Sequence, residues 1–386
     1  MNARRVAFLS SYTGLGGGEA SLLALFEALD RSRTEPVLVC PRPGRLPVAA
    51  DRLGVDVRYV PWRPARVFFV PALAARSAAA DAVREALRGI GPDVVHSDFH
   101  TLPLVAPACR ALLVPFVFTC YGWWFRPHPW QRAFYRAAPS AVLAISEAVK
   151  RGFLGDPPFM EPDRVEVVPL GVNTETCKPR PLERDGIRHD LGLPADVPLV
   201  SLVARYQSVK GHDVFLEAAL RILKTRPETR FAIAGESAFG VAADAAFERS
   251  VRHRVASDPR LGRSVELLGW IEKSELLLAA SDVVVCSSRF ESFGMVPVEA
   301  MACGVPVVST NRGGPSETLI DGETGFLVPP GRADLIAARV VTLLADDALR
   351  NRMGRAGRLR VEERFTVSRY AARMTDVFES LAAGRP

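Results

Sequence analysis

Two glutamates separated by seven residues mark the segment of this chain that is best suited to chemistry. Glu291 follows an apolar run that predicts a buried strand, and Glu299 lies in a run that predicts the first turns of a helix. Backbone N–H groups would gather at the start of that helix, from Phe293, Gly294 and Met295. Such amides and the helix dipole favour phosphate. With a carboxylate on each side to accept from sugar hydroxyls, the segment suits a nucleotide-sugar.

Two basic residues stand where a second phosphate contact is expected. Arg205 and Lys210 follow the predicted strand Leu199–Val203, and Gly211 comes directly after the lysine. Two cations that converge on one point can neutralise a diphosphate, and arginine can do so with two parallel hydrogen bonds. The alternative is a pair of solvated charges on a loop. We expect the predicted helix that carries Glu299 to begin with Pro297 near its first position, where proline is tolerated.

Four motifs in a fixed order resemble those of the retaining family 4 glycosyltransferases, which have the GT-B fold. The segment from Glu291 to Glu299 resembles the donor-site motif of that family. The other motifs are Gly14–Glu19, Ala204–Gly211, and Asn311–Glu317 followed by Gly322–Val328. The resemblance covers nearly the whole chain. It implies an enzyme that moves a sugar from a nucleotide-sugar to an acceptor hydroxyl. We expect the donor to be a UDP-sugar.

The resemblance also implies a role for each site residue. Arg205 and Lys210 would stabilise the leaving diphosphate, Glu299 would accept from the ribose hydroxyls, and Glu291 would contact the transferred sugar. The remaining predicted donor contacts are Phe293, Gly294, Met295, Gly235, Ile271 and the loop residues Gly16, Gly17 and Gly18. Relatives bind the diphosphate with amides and basic side chains, so the resemblance implies no metal and no cofactor beyond the nucleotide-sugar substrate.

Other functions are compatible with parts of this pattern. The carboxylate pair also suits a glycoside hydrolase, and Gly14–Glu19 approaches a dinucleotide fingerprint without its third glycine. On the same fold, the alternatives are a nucleotide-sugar epimerase, a glycogen-synthase-like enzyme, or a nucleotide-sugar-binding protein without turnover. Release of nucleoside diphosphate only in the presence of an acceptor would separate transfer from these alternatives.

One position departs from the family pattern. After the predicted strand Phe116–Cys120, relatives carry His-Gly, and the histidine lines the reaction centre; this chain has Tyr121-Gly122. Tyrosine donates a hydrogen bond but does not readily release its proton at neutral pH. We therefore place Tyr121 in the catalytic set, with a role that differs from that of the usual histidine.

The first half of the chain carries the residues expected on the acceptor side. His96, Asp98 and His100 alternate after a predicted strand, so their side chains would share one face. They are compatible with acceptor hydrogen bonding, with a metal site, or with a purely structural role. The predicted acceptor-side residues are Glu19, His96, Asp98, His100, Trp123 and Trp124.

Tryptophans and arginines are interleaved in proline-rich loops of this half, at Trp62, Trp123, Trp124 and Trp130. Such clusters bind glycans or a membrane interface, or simply pack long loops. We expect a small-molecule, glycan or lipid-linked acceptor and no nucleic acid. Peripheral contact with the inner membrane face stays open, as does the choice between monomer and homodimer.

Composition fits an ordinary globular protein. The chain has 386 residues, 48% hydrophobic and 24% charged, with a net charge of +6. No apolar run reaches the roughly 18 residues needed to span a bilayer, and the first apolar run is too short for a signal peptide. These observations favour a cytoplasmic location. Six scattered cysteines without a Cys-x-x-Cys pair favour small buried side chains over a metal or disulfide role.

Apolar strand-like runs alternate with helical stretches throughout, which predicts an α/β protein with two doubly wound parallel-sheet domains facing across a cleft, the GT-B fold. We expect a Rossmann-like acceptor domain over 1–178, a Rossmann-like donor domain over 179–365, and a C-terminal helix over 366–386 that crosses back to the first domain. The proline-rich segment 176–198 is interpreted as the linker region, with a short helix inside it.

Overall fold

The computed structural model describes residues 3–63, 70, 77–122, 127–237 and 241–384. The chain divides into two compact units. Unit 1 consists of Met1–Gly171 and Val367–Pro386, and unit 2 consists of Val172–Thr366. Because the last helix belongs to unit 1, the chain enters unit 2 once and then returns.

Unit 1 is built on a seven-stranded parallel sheet in the order β3-β2-β1-β4-β5-β6-β7. The strands are β1 Arg4–Leu9, β2 Thr34–Cys40, β3 Asp56–Tyr59, β4 Val94–Ser97, β5 Phe116–Cys120, β6 Ala141–Ala144 and β7 Val165–Val167. Its described helices are α1 Gly17–Ala28, α2 Arg45–Arg52, α3 Ala78–Ile90, α4 Leu102–Leu112, α5 Pro129–Ala137 and α6 Glu147–Leu154. The central strands are buried and rich in Val, Leu and Phe, as expected for a parallel sheet covered on both faces.

Unit 2 repeats the architecture with six parallel strands in the order β10-β9-β8-β11-β12-β13. The strands are β8 Leu199–Val203, β9 Arg230–Ala234, β10 Val265–Gly269, β11 Val283–Cys286, β12 Val307–Thr310 and β13 Gly325–Val328. Its helices are α7 Arg184–Asp190, α8 His212–Ile222, α9 Ala242–Ser257, α10 Pro259–Ser264, α11 Ser274–Ala280, α12 Met295–Ala302, α13 Pro315–Thr318, α14 Ala333–Ala345 and α15 Asp347–Arg364. The prediction of two doubly wound parallel-sheet units is confirmed.

Strand order reverses once in each sheet, and the reversal fixes where ligands are expected. β1 lies beside β4 in unit 1, and β8 lies beside β11 in unit 2. In open α/β sheets, ligands bind outside the carboxyl ends of the strands at this switch point. The predicted motifs Gly14–Glu19 and Arg205–Lys210 follow β1 and β8, so each lies at the switch point of its own sheet.

The proline-rich segment that the sequence suggested as a linker is part of unit 2. Arg188 in α7 is fully buried, donates to Asp282 Oδ2 at 2.9 Å, and donates to the carbonyl oxygens of Ala195 and Val197. Asp282 also accepts from the backbone N–H of Leu199 at the start of β8. A buried charge is stable only when it is paired and hydrogen-bonded. These contacts attach the segment to the sheet, so the linker interpretation is wrong for residues 184–198.

The last helix, α16 Val367–Ala383, packs on unit 1. Phe378 meets Phe8 of β1 edge to face, with ring centroids 5.6 Å apart. At the rim, Arg33 donates to both carboxylate oxygens of Glu379, at 2.9 and 2.7 Å. Burial of the aromatic pair contributes most of the attachment, since an exposed ion pair is worth about 0–1 kcal/mol.

Candidate functional site

In unit 2 the loops at the switch point bring Lys210 and Glu291 into contact. Lys210 Nζ lies 2.7 Å from Glu291 Oε1 and 3.0 Å from Oε2, with both side chains largely buried. Ser288, just after β11, donates to Glu291 Oε1 at 2.6 Å. The sequence predicted both charged residues but not their pairing, and it missed Ser288. A hydroxyl three residues before Glu291 was the available signal.

Three glycines hold the backbone around this pair. Gly211 has a positive φ of 69°, and a Cβ there would lie 2.1 Å from the carbonyl oxygen of Ser287. Gly313, with φ of 89°, would place a Cβ 1.9 Å from the carbonyl oxygen of Glu291. The N–H of Gly314 donates to that same Glu291 oxygen at 2.9 Å. Only glycine fits such approaches, so the Asn311–Glu317 motif holds the loop that carries Glu291.

Helix α12 begins at Met295, two residues before the predicted start. Gly294 adopts the left-handed conformation at the N-cap, and Pro297 occupies the third helical position. Proline is accepted there because the first N–H groups of a helix have no intrahelical acceptor. Phe293 is buried edge to face against Phe365, so only its backbone is available to a ligand. No acceptor for the N–H of Gly294 is found in the part of the chain that the structure describes.

Glu299 lies on α12 and has a different environment from Glu291. No hydrogen bond to its carboxyl group is found among the described residues. Burial, with a smaller contribution from the Glu275 carboxylate, raises the pKa of Glu299 to about 7. The raised pKa reflects a carboxyl group that has lost water and gained no partner. Such a group is able to accept hydrogen bonds from ligand hydroxyls.

Arg205, Gly235 and Ile271 lie at the carboxyl edge of the same sheet. The guanidinium of Arg205 has no ion pair or hydrogen bond within the described ranges. Gly235 follows β9, and a Cβ there would lie 1.9 Å from the carbonyl oxygen of Ala204, so it allows the loops after β8 and β9 to approach each other. Ile271 is partly buried against the apolar cluster that includes Leu199 and Leu277.

In unit 1, the glycine-rich loop after β1 leads into α1. Gly16 is the N-cap and its N–H donates to Glu19 Oε2 at 3.0 Å. Gly17 and Gly18 begin the helix, and a Cβ at either would meet no heavy atom within 4 Å. The carboxylate of Glu19 therefore caps its own helix, while the two glycines leave open space at the helix start. Their predicted ligand contacts stay predictions.

His96, Asp98 and His100 do not alternate along one extended segment, because β4 ends at Ser97. His96 is buried inside the strand, its Nε2 2.9 Å from Thr119 Oγ1. Asp98 instead begins a turn, where its Oδ1 accepts from the N–H groups of His100 and Thr101. The expected shared face is wrong: Asp98 stabilises the entry into α4.

Burial shifts the pKa values of several titratable groups in this cluster. Burial lowers the pKa of His96 to about 4, and burial also raises the pKa of Asp98. The pKa of Tyr121 is raised well above its usual value, first by burial and then by the neighbouring Tyr370 phenol of α16. The Tyr121 ring meets that of His96 edge to face at 6.4 Å. Tyr121 is thus a hydrogen-bonding group that stays protonated at neutral pH.

Several predicted features fall outside these two clusters. Trp123 and Trp124 lie outside the described residues. Trp62 is buried, and its indole N–H donates to Ser11 Oγ at 2.9 Å. All six cysteines are buried, as predicted, and none forms a disulfide with another described residue. Within the described ranges, no group of three His, Cys, Asp or Glu side chains is placed to hold a metal, and no helix is long and apolar enough to cross a membrane.

Two family models match this chain, one over most of the first half and one over most of the second half. Residues 15–176 match the family described as Glycosyltransferase Family 4, and residues 183–360 match Glycosyl transferases group 1. A D-inositol 3-phosphate glycosyltransferase of Xylanimonas cellulosilytica is 36% identical over 238 residues, which are 58% of this chain and 53% of that protein. The chain thus spans about half the length of this curated relative.

Solved structures extend the likeness over the whole chain. A glycosyltransferase from Rickettsia africae ESF-5 superimposes with a TM-score of 0.86 at 21% identity and covers 100% of both chains. Anabaena Alr3699/HepE in complex with UDP and glucose gives 0.82 at 22% identity, over 98% of this chain and 100% of that one. The fold and the two switch-point sites define a GT-B protein. The two family models match consecutive segments that together make up most of the chain, which therefore belongs to the family 4 and group 1 glycosyltransferases.

Proposed function

We propose that this chain transfers a sugar from a UDP-sugar to an acceptor hydroxyl with retention of anomeric configuration and without a metal ion. The observation that carries the proposal is the contact between Lys210 and Glu291 at the switch point of unit 2, beside the N-terminus of α12. A cation, a carboxylate and helix-terminal amides at one point match the diphosphate and the sugar of such a donor.

The donor diphosphate would lie between Arg205, Lys210 and the α12 amides. Lys210 is paired with Glu291, so a diphosphate would have to share the ammonium with that carboxylate. Arg205 has no partner among the described residues and needs no such exchange. Glu299, four helical residues beyond the α12 start, would accept from the ribose hydroxyls once its carboxyl group ionises.

Transfer would proceed on one face of the sugar. The bond from the anomeric carbon to the diphosphate oxygen breaks while the acceptor oxygen forms its bond on the same side, and the acceptor proton passes to the departing phosphate. Charge develops on the diphosphate, where Arg205 and Lys210 stabilise it. Glu291 would stabilise the positive charge on the sugar. Tyr121 stays protonated, so its part is limited to donating a hydrogen bond.

UDP is the first nucleotide to test, because Anabaena HepE has been solved with UDP and glucose. That likeness, at 22% identity, supports the choice of probe without fixing the sugar or the acceptor. The acceptor class stays open among small molecules, glycans and lipid-linked molecules. The neutral imidazole of His96 and the protonated phenol of Tyr121 suit recognition of hydroxyl groups.

A screen of nucleotide-sugars by thermal shift tests the donor assignment. A ligand present at 100 times its Kd stabilises a protein by about 2.7 kcal/mol, and Glu299→Gln should reduce the shift. Turnover then separates the alternatives with the donor found in this way. Release of UDP that depends on an added acceptor supports transfer, a new sugar epimer supports an epimerase, and binding without turnover supports a silent protein. Absence of any nucleotide-sugar shift would contradict the proposal.

A further inference from the structure

A cavity in unit 1 lies at the carboxyl ends of β1, β2 and β3, the part of the sheet on the far side of the switch point from β4. Its volume is about 410 Å³. The residues that line it are Ser11, Pro41, Arg42, Pro61, Trp62 and Arg63. Each of the three strands thus contributes the first residues of the loop that follows it.

The walls of this cavity are held in register by the sheet. Ser10 N–H donates to the Val39 carbonyl at 3.1 Å, and Val60 N–H donates to the Cys40 carbonyl at 3.0 Å. These bonds continue the β1–β2 and β2–β3 ladders past the strand ends. The loops after β1 and β2 also approach closely, since a Cβ at Gly44 would lie 2.3 Å from the Thr13 carbonyl oxygen. The backbone of the three loops that line the cavity is therefore held by the fold.

The charge of the cavity is positive. Arg42 and Arg63 are exposed and have no ion pair within the described ranges, and none of the described residues that line the cavity is acidic. Other arginines in or next to these three strands form ion pairs: Arg5 with Glu35, Arg33 with Glu379 and Arg58 with Asp56. Two guanidinium groups in one cavity attract an anion, because no described lining residue offsets their charge.

Two further features favour an anion with several oxygens. Ser11 accepts the Trp62 indole N–H at 2.9 Å, which leaves the Ser11 O–H available to donate. Helix α2 begins at Arg45, three residues after Arg42, with no acidic residue in its first turn. Its dipole adds positive potential at the same end of the sheet. Two guanidinium groups and a hydroxyl match a phosphate, which arginine binds through paired hydrogen bonds.

We propose that this cavity binds a phosphate group of the acceptor, through Arg42 and Arg63 with Ser11 as a further donor. The proposal rests on the proposed function, because it names the acceptor class of the same enzyme. Ser11 belongs to the β1–α1 loop that also carries Gly16–Gly18, so a phosphate bound here lies on the loop expected to meet the acceptor. The acceptor is accordingly a phosphorylated alcohol, either a free sugar phosphate or a lipid headgroup.

The first test is calorimetric titration of inorganic phosphate into protein that is saturated with UDP, so that the donor site is filled. The double variant Arg42→Gln/Arg63→Gln should bind phosphate about tenfold or more weakly, since two charge-assisted contacts are lost. The matched control is Arg52→Gln/Arg58→Gln, which removes the same charge from exposed positions that do not line the cavity. Its phosphate affinity should equal that of the wild type.

The outcomes distinguish this proposal from the proposed function. Equal phosphate affinity in the two doubles, or no phosphate binding by the wild type, would overturn the cavity assignment whatever UDP does. Failure of UDP to bind would instead contradict the donor assignment. The phosphate affinities of the two double variants can still be compared in that case, because both variants keep Arg205 and Lys210.

The second test identifies the source of the phosphate. Glucose 6-phosphate and phosphatidylglycerol vesicles are compared as probes for the wild type and both doubles. Loss of either interaction in Arg42→Gln/Arg63→Gln alone supports the site and names its source. Binding of glucuronate through these arginines without binding of either phosphate probe would overturn the phosphate assignment in favour of a carboxylate.

Discussion

The switch-point sites of the two units differ in how they treat charge. In unit 2, Lys210 and Glu291 are both ionisable, partly buried and paired with each other at 2.7 Å. In unit 1, His96 is buried and Tyr121 is half-buried, and neither forms an ion pair with any residue that the structure describes. Loss of water shifts the pKa of each in the direction that favours its neutral form. Both sites occupy the same place in the same architecture. The two sites differ in whether their ionisable groups have a partner of opposite charge.

This difference indicates what each site is able to bind. A site that already holds a cation in a largely buried position has met the cost of desolvation and can stabilise a diphosphate. A site that holds neutral donors and acceptors recognises hydroxyl groups by hydrogen bonds and offers no charge to a leaving group. We therefore propose electrostatic catalysis for unit 2 and hydroxyl recognition for unit 1.

The largest effect is expected from the phosphate cations. Lys210→Ala and Arg205→Ala should each reduce turnover by on the order of 100-fold or more, because each removes stabilisation of charge that develops on the diphosphate. Lys224→Ala, an exposed lysine at the end of α8, is the control and should keep wild-type rates. Near-normal steady-state rates in both site variants would remove these residues from the mechanism.

The two glutamates should separate binding from rate. Glu299→Gln should weaken UDP and the donor by similar factors, roughly tenfold, because the proposed contacts of Glu299 are with ribose. Glu291→Gln should leave UDP affinity nearly intact while it lowers turnover, because contacts to the sugar strengthen in the transition state. Calorimetric titration of UDP beside steady-state rates measures both. The opposite pattern would reverse the two roles.

The raised pKa of Glu299 predicts a pH dependence of stability. Its pKa is about 7 in the folded protein against 4.5 for the ordinary group, so the folded state binds more protons between these values. Stability should therefore fall as pH rises from about 4.5 to 7 and level off above that. Glu299→Gln should remove this fall and be more stable at pH 8, by about 1–3 kcal/mol.

Glu275→Gln serves as a control for the pH dependence of stability that is attributed to Glu299. Glu275→Gln removes the second cause of the raised pKa and leaves burial in place, so it should reduce the fall in stability without abolishing it. Urea unfolding at pH 5, 6.5 and 8 measures all three proteins. Parallel curves for the wild type and Glu299→Gln would show that Glu299 is ionised in the folded state throughout this range.

Tyr121→Phe should have a smaller effect, below about tenfold on turnover, because a phenol that stays protonated contributes a hydrogen bond and no charge. The phenylalanine keeps the ring contact with His96. Measurement of KM for the acceptor and kcat would locate the loss. A decrease comparable with that of Lys210→Ala would show that Tyr121 takes part in proton transfer, and would break the division between the two units.

The smallest expected effect is that of a chelator. Arg205, Lys210 and the α12 amides are assigned to the diphosphate, so EDTA should leave initial rates unchanged. Added Mg²⁺ or Mn²⁺ should not raise the rate of the chelator-treated enzyme. A strict metal requirement would mean that an acidic group such as Asp98 holds an ion, and would transfer part of the electrostatic catalysis to that ion.

Much of the fold followed from local pattern. The run Phe116–Cys120 is a strand with the bounds that were predicted, because a short apolar run between turn residues is typical of a buried strand in an α/β chain. Helix starts were less predictable. α12 begins at Met295 and not near Pro297, since a left-handed Gly294 supplies the turn, and sequence alone does not show which glycine adopts that conformation.

The site was predictable as a set of residues but not as a set of contacts. The motif spacing indicated Arg205, Lys210, Glu291 and Glu299, since each follows a strand or begins a helix at the carboxyl edge. Asp98 was misplaced because the end of β4 at Ser97 depends on pairing with β5, which no local signal specifies. Arg188 was assigned to a linker because its partner, Asp282, lies 94 residues away.

Sequence by itself determined the two parallel sheets, their order along the chain and the identity of the charged residues at their edges. These depend on apolar periodicity and turn residues, which act within a few positions of the chain. Tertiary structure alone decided which charges are paired, which groups are neutral and which arginines are left without a partner. Those properties depend on burial and on distances between segments that are remote in sequence, and the local pattern contains neither.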